Sequence, residues 1–199
     1  VTFRDLPTQI SCGPRQPFEQ TGHIVINEFM PNPASSTIGF AGLPLDGQWV
    51  ELFNPTASSI NVAGYVLYDN DNSHELPITV SNISTGSTLI PSKGRAVVYR
   101  EGDADFNLEV GGGDSVRLFT TTIGLGGVLV DSHTYTADSP VNKSFARIPD
   151  GTANWIDPDS TPGEPNYFFF ESFDALPDGL PVVTLPTLPP IEIGGGFAK

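Results

Sequence analysis

Residues 48–55 contain the feature that most restricts what this chain can fold into. The side chains from Trp49 to Asn54 alternate between two directions, and both directions carry large apolar groups. Period two over this length predicts a β-strand with both faces partly covered. Asn54 and Pro55 end the strand, because proline has no backbone N–H and an Asn-Pro pair favours a turn.

Short runs of strand-forming residues recur along the chain between glycine and proline turns. The 199 residues include 21 glycines and 19 prolines, and no long amphipathic helix is indicated. The predicted strands lie at 24–30, 49–53, 65–68, 77–80, 88–91, 95–100, 114–119, 128–135 and 144–148. We expect 128–135 to pair with 114–119, and Pro149, Asp150 and Gly151 to form a turn. This spacing predicts an all-β sandwich of two antiparallel sheets.

The chain divides into a body and two arms. Residues 1–22 form an N-terminal extended arm that prolines interrupt, residues 23–166 form the sandwich, and residues 167–199 form a Pro/Gly-rich C-terminal arm. Both arms keep apolar anchors, which a disordered tail should lack because it has nowhere to bury them. We expect the arms to dock, either on their own body or on a neighbouring copy.

Charge and cysteine content restrict the partners. The chain has 23 acidic and 9 basic residues, a net charge of −14. Such a surface repels nucleic acid and anionic lipid and attracts multivalent cations. Cys12 is the sole cysteine and is either a passive thiol or an intermolecular bridge. No apolar run reaches the ~20 residues of a membrane helix, so no transmembrane segment is predicted.

The composition favours an extracellular or cell-surface location. Lysine is scarce, whereas threonine, serine, asparagine and glycine are abundant. Val1 at the first position is compatible with a signal peptide that has been removed, or with a piece of a larger precursor.

Two sets of residues were candidates for catalysis. Asp131, Ser132 and His133 have the residue types of a nucleophilic triad, but alternation on a strand places Ser132 opposite the other two. Glu28 and Glu51 are a carboxylate pair of the kind that glycoside hydrolysis uses. Both are on strands among apolar neighbours, where carboxylates more often accept hydrogen bonds from turn N–H groups or face solvent. We therefore predict that the chain is not an enzyme.

Calcium is the metal that the acidic loops favour. Residues 69–75 carry oxygen side chains at alternating positions, as in the first half of an EF-hand, without its glycine at six or its glutamate at twelve. Two further acidic loops lie at 101–105 and 157–159, and two of the three clusters would converge if they lie at one end of a sandwich. The predicted ligands are Asp69, Asp71, Ser73, Glu75, Asp103 and Asp105. The alternative is that these are ordinary solvated turn residues, with His74 facing solvent outside any site.

Eight short motifs in order resemble the lamin-tail domain family, in its secreted prokaryotic branch, over residues 23–166. They lie at 26–28, 31–33, 49–55, 64–67, 113–118, 130–135, 145–151 and 161–166. The resemblance implies an immunoglobulin-like sandwich without a catalytic centre, and a role in binding or assembly. The segment 34–47 and both arms depart from the family pattern.

Three functions fit these observations. The first is a structural subunit of an extracellular filament or other assembly, joined by strand exchange between arms and sandwiches and stabilised by calcium. The second is a surface binding or adhesion module for a polysaccharide or protein, in which Tyr65, Tyr68 or Trp155 would stack on sugars. The third is an accessory domain of a secreted hydrolase.

Overall fold

The structure is a computed structural model and describes residues 22–34, 47–100 and 106–167. The fold of these residues is all-β, as predicted, with a single short 3-10 helix at Ile123–Leu125 among the described residues. Both predicted arms, apart from Gly22 and Tyr167, lie outside this part of the chain. The strands are β1 (Val25–Met30), β2 (Trp49–Phe53), β3 (Ile60–Asn61), β4 (Val66–Tyr68), β5 (Glu75–Pro77), β6 (Leu89–Ile90), β7 (Arg95–Tyr99), β8 (Asp114–Phe119), β9 (Leu129–Tyr135), β10 (Phe145–Arg147) and β11 (Trp155–Ile156).

The strands form two main antiparallel sheets and a small third one. The five-stranded sheet has the order β11-β10-β1-β2-β7, and the four-stranded sheet has the order β5-β4-β8-β9. Strands β3 and β6 form the two-stranded sheet. The prediction that 49–53 is an interior strand is confirmed, and so is the pairing of β8 with β9.

The core lies between the two main sheets. Val50 and Leu52 of the five-stranded sheet are fully buried, as predicted, and belong to the same cluster as Leu67 and Leu118 of the four-stranded sheet. The ring of Phe29 joins the layers, because its centroid lies 5.4 Å from that of Tyr135 on the opposite sheet. Two sheets that share one apolar cluster make the predicted sandwich.

The outer face of the five-stranded sheet is also covered. Alternation along β2 turns Trp49 away from the core, where it forms a separate buried cluster with Met30, Val97 and Tyr99. Glu51 lies on this same outer face, one pair further along the strand. The face therefore changes from apolar to polar at Glu51.

A bulge in β1 decides which residues reach that polar region. Ile26 pairs with Leu52 and Glu28 pairs with Glu51, so Asn27 is an extra residue. The extra residue lets Ile26 and Phe29, three positions apart, both face the core. Asn27 and Glu28 are consequently both turned to the outer face beside Glu51.

One predicted strand is displaced, and two short strands were not predicted. The strand expected at 77–80 is β5, Glu75–Pro77, and Ile78 instead donates its N–H to the Tyr65 carbonyl oxygen at 2.8 Å. Proline ends β5 at a sheet edge, where a missing N–H is tolerated. Strands β3 and β11 were not predicted, because two residues are too few to show a period.

The predicted turn at 149–151 is confirmed. Gly151 has a φ of +70°, and the Ile148–Pro149 peptide bond is cis. A Cβ on Gly151 would lie 3.1 Å from the ring of Phe53, so glycine is required for both its backbone angle and its close approach. This turn brings residues 150–166 back over the polar region of the outer face.

Among the described residues, no helix is long and apolar enough to cross a membrane.

Candidate functional site

Two glutamates face each other on the outer side of the five-stranded sheet. Glu28 in β1 is the register partner of Glu51 in β2, and both side chains are completely buried. Facing residues on neighbouring antiparallel strands have Cβ atoms about 4.5–5.5 Å apart, so the two carboxyl groups act on each other directly.

Glu28 binds the segment that follows β11. Its Oε1 accepts a hydrogen bond from the Thr161 N–H at 2.9 Å and another from the Ser144 hydroxyl at 2.5 Å. Thr161 Oγ1 lies 3.3 Å from the other carboxylate oxygen of Glu28. The β1 side chain therefore fixes a backbone amide more than 130 residues further along the chain.

Glu51 binds the same segment two residues later. The Gly163 N–H donates to Glu51 Oε2 at 2.6 Å, and Asn27 Nδ2 donates to Glu51 Oε1 at 2.8 Å. The Arg95 Nε lies 3.8 Å from Glu51 Oε1. Each oxygen of this carboxylate thus has a donor, as a buried charged or polar group requires.

Asn27, the bulge residue, connects the two carboxylates to the 149–151 turn. Its Nδ2 also donates to Asp150 Oδ1 at 2.9 Å, and its Oδ1 accepts the Gly151 N–H at 2.9 Å. Asn166 completes the connection, because its N–H donates to the same oxygen of Asp150 and its Nδ2 donates to the Asn27 carbonyl oxygen. The single bulge residue of β1 thereby links the 149–151 turn to Asn166.

The electrostatics of this cluster are unusual because acids outnumber bases. Burial, with a smaller contribution from the neighbouring Glu28, raises the pKa of Glu51 to about 8. Burial also raises the pKa of Glu28. The nearby cation is Arg95, whose guanidinium forms an ion pair with Asp150 and whose pKa burial lowers. With a pKa of about 8, the Glu51 carboxyl group holds a proton at neutral pH.

Both glutamates play the structural part that their positions on strands predicted. They accept hydrogen bonds from turn N–H groups and have no exposed surface. A sugar would have to displace the 161–163 segment to reach either carboxyl group, so this arrangement does not suit glycoside hydrolysis.

Asp131, Ser132 and His133 do not converge. Asp131 accepts the Ile26 N–H at 2.8 Å and two contacts from Arg147 Nη2 at 3.0 and 3.1 Å. The His133 ring stacks on Trp155 with centroids 4.0 Å apart, and burial lowers its pKa to about 4. Ser132 is exposed. These contacts tie β9 to the neighbouring sheet and do not form a relay.

The predicted calcium loop has one buried member and three exposed ones. Asp69 is 1% exposed, and its oxygens accept the N–H groups of Asp71 and Asn107 at 2.7 and 2.9 Å. Asp71 is exposed and accepts both the N–H and the hydroxyl of Ser73, which lower its pKa. The Glu75 carboxylate accepts the hydroxyl of Tyr68 at 2.7 Å.

His74 is partly open to solvent and also contacts Asp69. Its Nδ1 lies 2.8 Å from Asp69 Oδ2, and its side chain is 37% exposed. The buried Asp69 carboxylate attracts the ring, which sequence spacing could not show because it did not indicate that Asp69 is buried.

Asp103 and Asp105 lie outside the described residues. Asn107, which follows them closely, donates its N–H to Asp69 at 2.9 Å. Within the three described ranges, no group of three or more His, Cys, Asp or Glu side chains is placed to hold a metal ion. Calcium binding by Asp69, Asp71, Ser73, Glu75, Asp103 and Asp105 therefore stays a prediction.

The aromatic residues considered for sugar stacking are largely covered. Tyr68 is fully buried, and Tyr65 and Trp155 pack against the core as partly buried side chains. The guanidinium of Arg147 lies 4.5 Å from the Trp155 ring centroid, and His133 stacks on the same ring. These contacts leave little open aromatic surface on Trp155.

The joining of β1, β2 and residues 150–166 in one polar cluster was not predicted from the sequence. A usable signal was present, since two consecutive polar residues, Asn27 and Glu28, interrupt the apolar alternation of β1. Such an interruption indicates a bulge. The sequence around Asn27 and Glu28 does not indicate that their hydrogen-bond partners lie at 161–166.

Comparison with known protein families identifies a related domain. A family model described as Lamin Tail Domain matches residues 17–137. The match begins inside the predicted N-terminal arm and ends before β10, although β10 pairs directly with β1. No curated protein and no solved structure matches the chain.

Proposed function

This chain belongs to the lamin tail domain family, and we propose that it is a non-enzymatic structural subunit of an extracellular assembly. In this proposal an arm of one copy, residues 1–22 or 167–199, adds a strand to the sandwich of the next copy. Backbone hydrogen bonds to an exposed sheet edge supply the affinity in such strand addition. A head-to-tail contact of this kind builds filaments unless its rotation closes.

Strand β9 is the best acceptor edge. It is seven residues long and, among the described residues, pairs only with β8. Leu129, Ser132 and Thr134 are exposed along it. An exposed edge of this length is a ready template for another strand.

The other described edges are less suitable. The edge of strand β7 that faces away from β2 is already paired. The Ser84 N–H donates to the Val97 carbonyl oxygen and the Tyr99 N–H donates to the Asn82 carbonyl oxygen, both at 2.8 Å. Strand β11 has two residues, and β5 has three and contains Pro77. Short strands and prolines are devices that discourage edge pairing.

Exposed apolar side chains adjoin the start of β9. Leu125 is 78% exposed, Val128 is 65% exposed and Leu129 is 49% exposed. The anchors of the arms, which include Phe3 and Leu6 in one and Val183 and Leu185 in the other, are the same kind of side chain. Burying such groups between copies would contribute roughly 1.5–3 kcal/mol for each side chain that becomes fully buried.

Calcium is the proposed stabilising ion of this assembly. The loop supplies the exposed Asp71 carboxylate beside the buried Asp69, in a chain of net charge −14. Calcium requires six to eight oxygen ligands, so residues 101–105 would have to contribute Asp103 and Asp105.

A charge placed on the β9 edge tests the proposal. In Leu129→Lys the edge carries a lysine, which blocks strand addition. Sedimentation of the full chain at high concentration with calcium should show polymer for the wild type and a much smaller species for Leu129→Lys.

The matched control is Val80→Lys, which replaces another exposed aliphatic residue, in a loop outside the strands. This variant should assemble as the wild type does. Equal assembly of Leu129→Lys and wild type would exclude β9 as the acceptor. A wild type that remains monomeric under all conditions would favour the binding-module or accessory-domain alternatives.

A further inference from the structure

The last part of the described body is held on the sheet by the two buried glutamates. We call residues 157–166 the closing segment. Its Thr161 N–H donates to Glu28 and its Gly163 N–H donates to Glu51. The ends of the segment have other links: residues 158–159 bond to Ser144 and Lys143, and Asn166 bonds to Asn27, Arg147 and Asp150. The glutamates therefore hold its central turn at 161–163.

The charges that face this contact do not balance. The guanidinium of Arg95 from β7 contacts Glu51 from β2 and Asp150 from the 149–151 turn, and Glu28 from β1 lies opposite Glu51. Burial lowers the pKa of Arg95, and the carboxylates of Glu51 and of Glu164 in the closing segment oppose that shift. Arg147 and Asp131 form a separate ion pair beside the cluster.

Two facing carboxylates that are both shielded from water cannot both be ionised at low cost. The register of β1 and β2 fixes Glu28 and Glu51 opposite each other, and neither has exposed surface. We propose that this pair works as a proton-operated latch. While one of the two carboxyl groups keeps its proton, the closing segment stays docked, and loss of that proton releases it.

The direction of the pH effect follows from linkage. Burial raises the pKa of Glu51 to about 8 in the docked state, above its ordinary value of 4.5. A raised pKa means that docking is most favourable below the ordinary value and weakens as the pH rises towards the docked value. Between these limits one proton is released on opening, so the opening equilibrium constant increases about tenfold per pH unit.

His133 acts in the opposite direction and limits the useful range. Burial, followed by the nearby Arg147, lowers its pKa to about 4, so it destabilises the fold as the pH falls below its ordinary value of 6.5. The latch is therefore best observed above that value.

Hydrogen exchange of individual amides in the full chain measures the latch directly. Protection factors of the Thr161 and Gly163 amides should fall about tenfold between pH 6.5 and 7.5, after correction for intrinsic rates. The amides of Val62 and Tyr99, which bond to the Thr88 and Asn82 carbonyl oxygens, serve as internal controls and should keep their protection.

Glu51→Gln removes the carboxyl group whose pKa is about 8 and should strongly reduce the fall of the Thr161 and Gly163 protection factors between pH 6.5 and 7.5. Glu109→Gln, at an exposed glutamate, is the matched control and should behave as wild type. If Glu51→Gln does not fold, the NMR chemical shift of the Glu51 carboxyl carbon in the wild type tests the proposal instead. The latch requires that this shift titrate above pH 6.5. Flat wild-type profiles, an equal fall at Val62 and Tyr99, or glutamates that are both ionised at pH 6.5 would each overturn the proposal.

Discussion

Glu28 and Glu51 face each other across β1 and β2, and each accepts a backbone N–H from the same closing segment. The relationship explains why buried carboxylates occur on two strands whose neighbours are apolar. They accept N–H groups of the closing segment, which at these positions does not pair with a neighbouring strand. The outer face of the sheet is thereby closed by residues that lie beyond the family match.

Asn27→Ala should destabilise the fold strongly. The side chain is fully buried and donates to Glu51 and Asp150 while accepting the Gly151 N–H. Its loss leaves Glu51 Oε1 and the Gly151 N–H without a hydrogen-bond partner, whereas Asp150 keeps the Asn166 N–H, and we expect a cost of about 2–4 kcal/mol in the free energy of unfolding. Denaturant unfolding measures this cost, and Asn70→Ala, at an exposed site, should change it by less than about 0.5 kcal/mol. Equal effects of the two changes would contradict the role given to Asn27.

Gly151→Ala should also destabilise the fold, for a steric reason. A φ of +70° disfavours any residue with a Cβ, and this Cβ would meet the Phe53 ring at 3.1 Å. We expect a loss of about 1–3 kcal/mol in thermal or denaturant unfolding. Gly124→Ala is the control, because a Cβ there meets nothing within 4 Å. A Gly151→Ala variant as stable as the wild type would show that the turn can rearrange.

Strand faces that follow from side-chain alternation, and turns that follow from proline and glycine, could be predicted from the sequence. Alternation from Trp49 to Asn54 predicted both faces of β2, and Pro149 to Gly151 predicted a turn that the structure contains. Strand β3 escaped prediction because two residues show no period. Strand β5 was displaced because Ile78 and Val80 look like strand residues, although Pro77 ends the pairing.

The polar cluster depends on contacts more than 100 residues apart, which local patterns do not specify. Period two suggested that the Glu28 carboxylate stands among apolar neighbours, but the bulge at Asn27 moves it beside Glu51. The loop at 69–75 looked solvated because its residues are polar. Asp69 is buried because Asn107, from a distant segment, supplies a donor.

Acid should destabilise the protein through His133. This ring is neutral in the folded state, because burial lowers its pKa to about 4, and it becomes charged in the unfolded chain below pH 6.5. Stability due to His133 is therefore lost as the pH falls from 6.5 towards 4, by roughly 1 kcal/mol per pH unit. In His133→Phe the ring can still stack on Trp155 but cannot titrate. The difference between the wild-type and variant unfolding curves should show this slope, and a difference that is constant with pH would contradict it.

Calcium should raise the melting temperature of the wild type. A ligand that binds only the folded state stabilises it once its free concentration exceeds the dissociation constant. Asp71→Ala should abolish the increase, whereas Asp138→Ala, at another exposed aspartate, should retain it. A wild-type melting curve that ignores both millimolar calcium and a chelator would remove the calcium proposal.

Mixing two variants that cannot assemble alone tests strand exchange most directly. One is residues 23–166, which has an intact β9 edge but no arms, and the other is the full chain with Leu129→Lys, which has arms but a blocked edge. Circular dichroism should first show that each is folded as a β protein. Sedimentation should then show two monomers separately and a one-to-one complex in the mixture, because the arm of the second chain adds to the edge of the first. A mixture that sediments as two monomers, beside a wild type that assembles under the same conditions, would contradict strand exchange at β9.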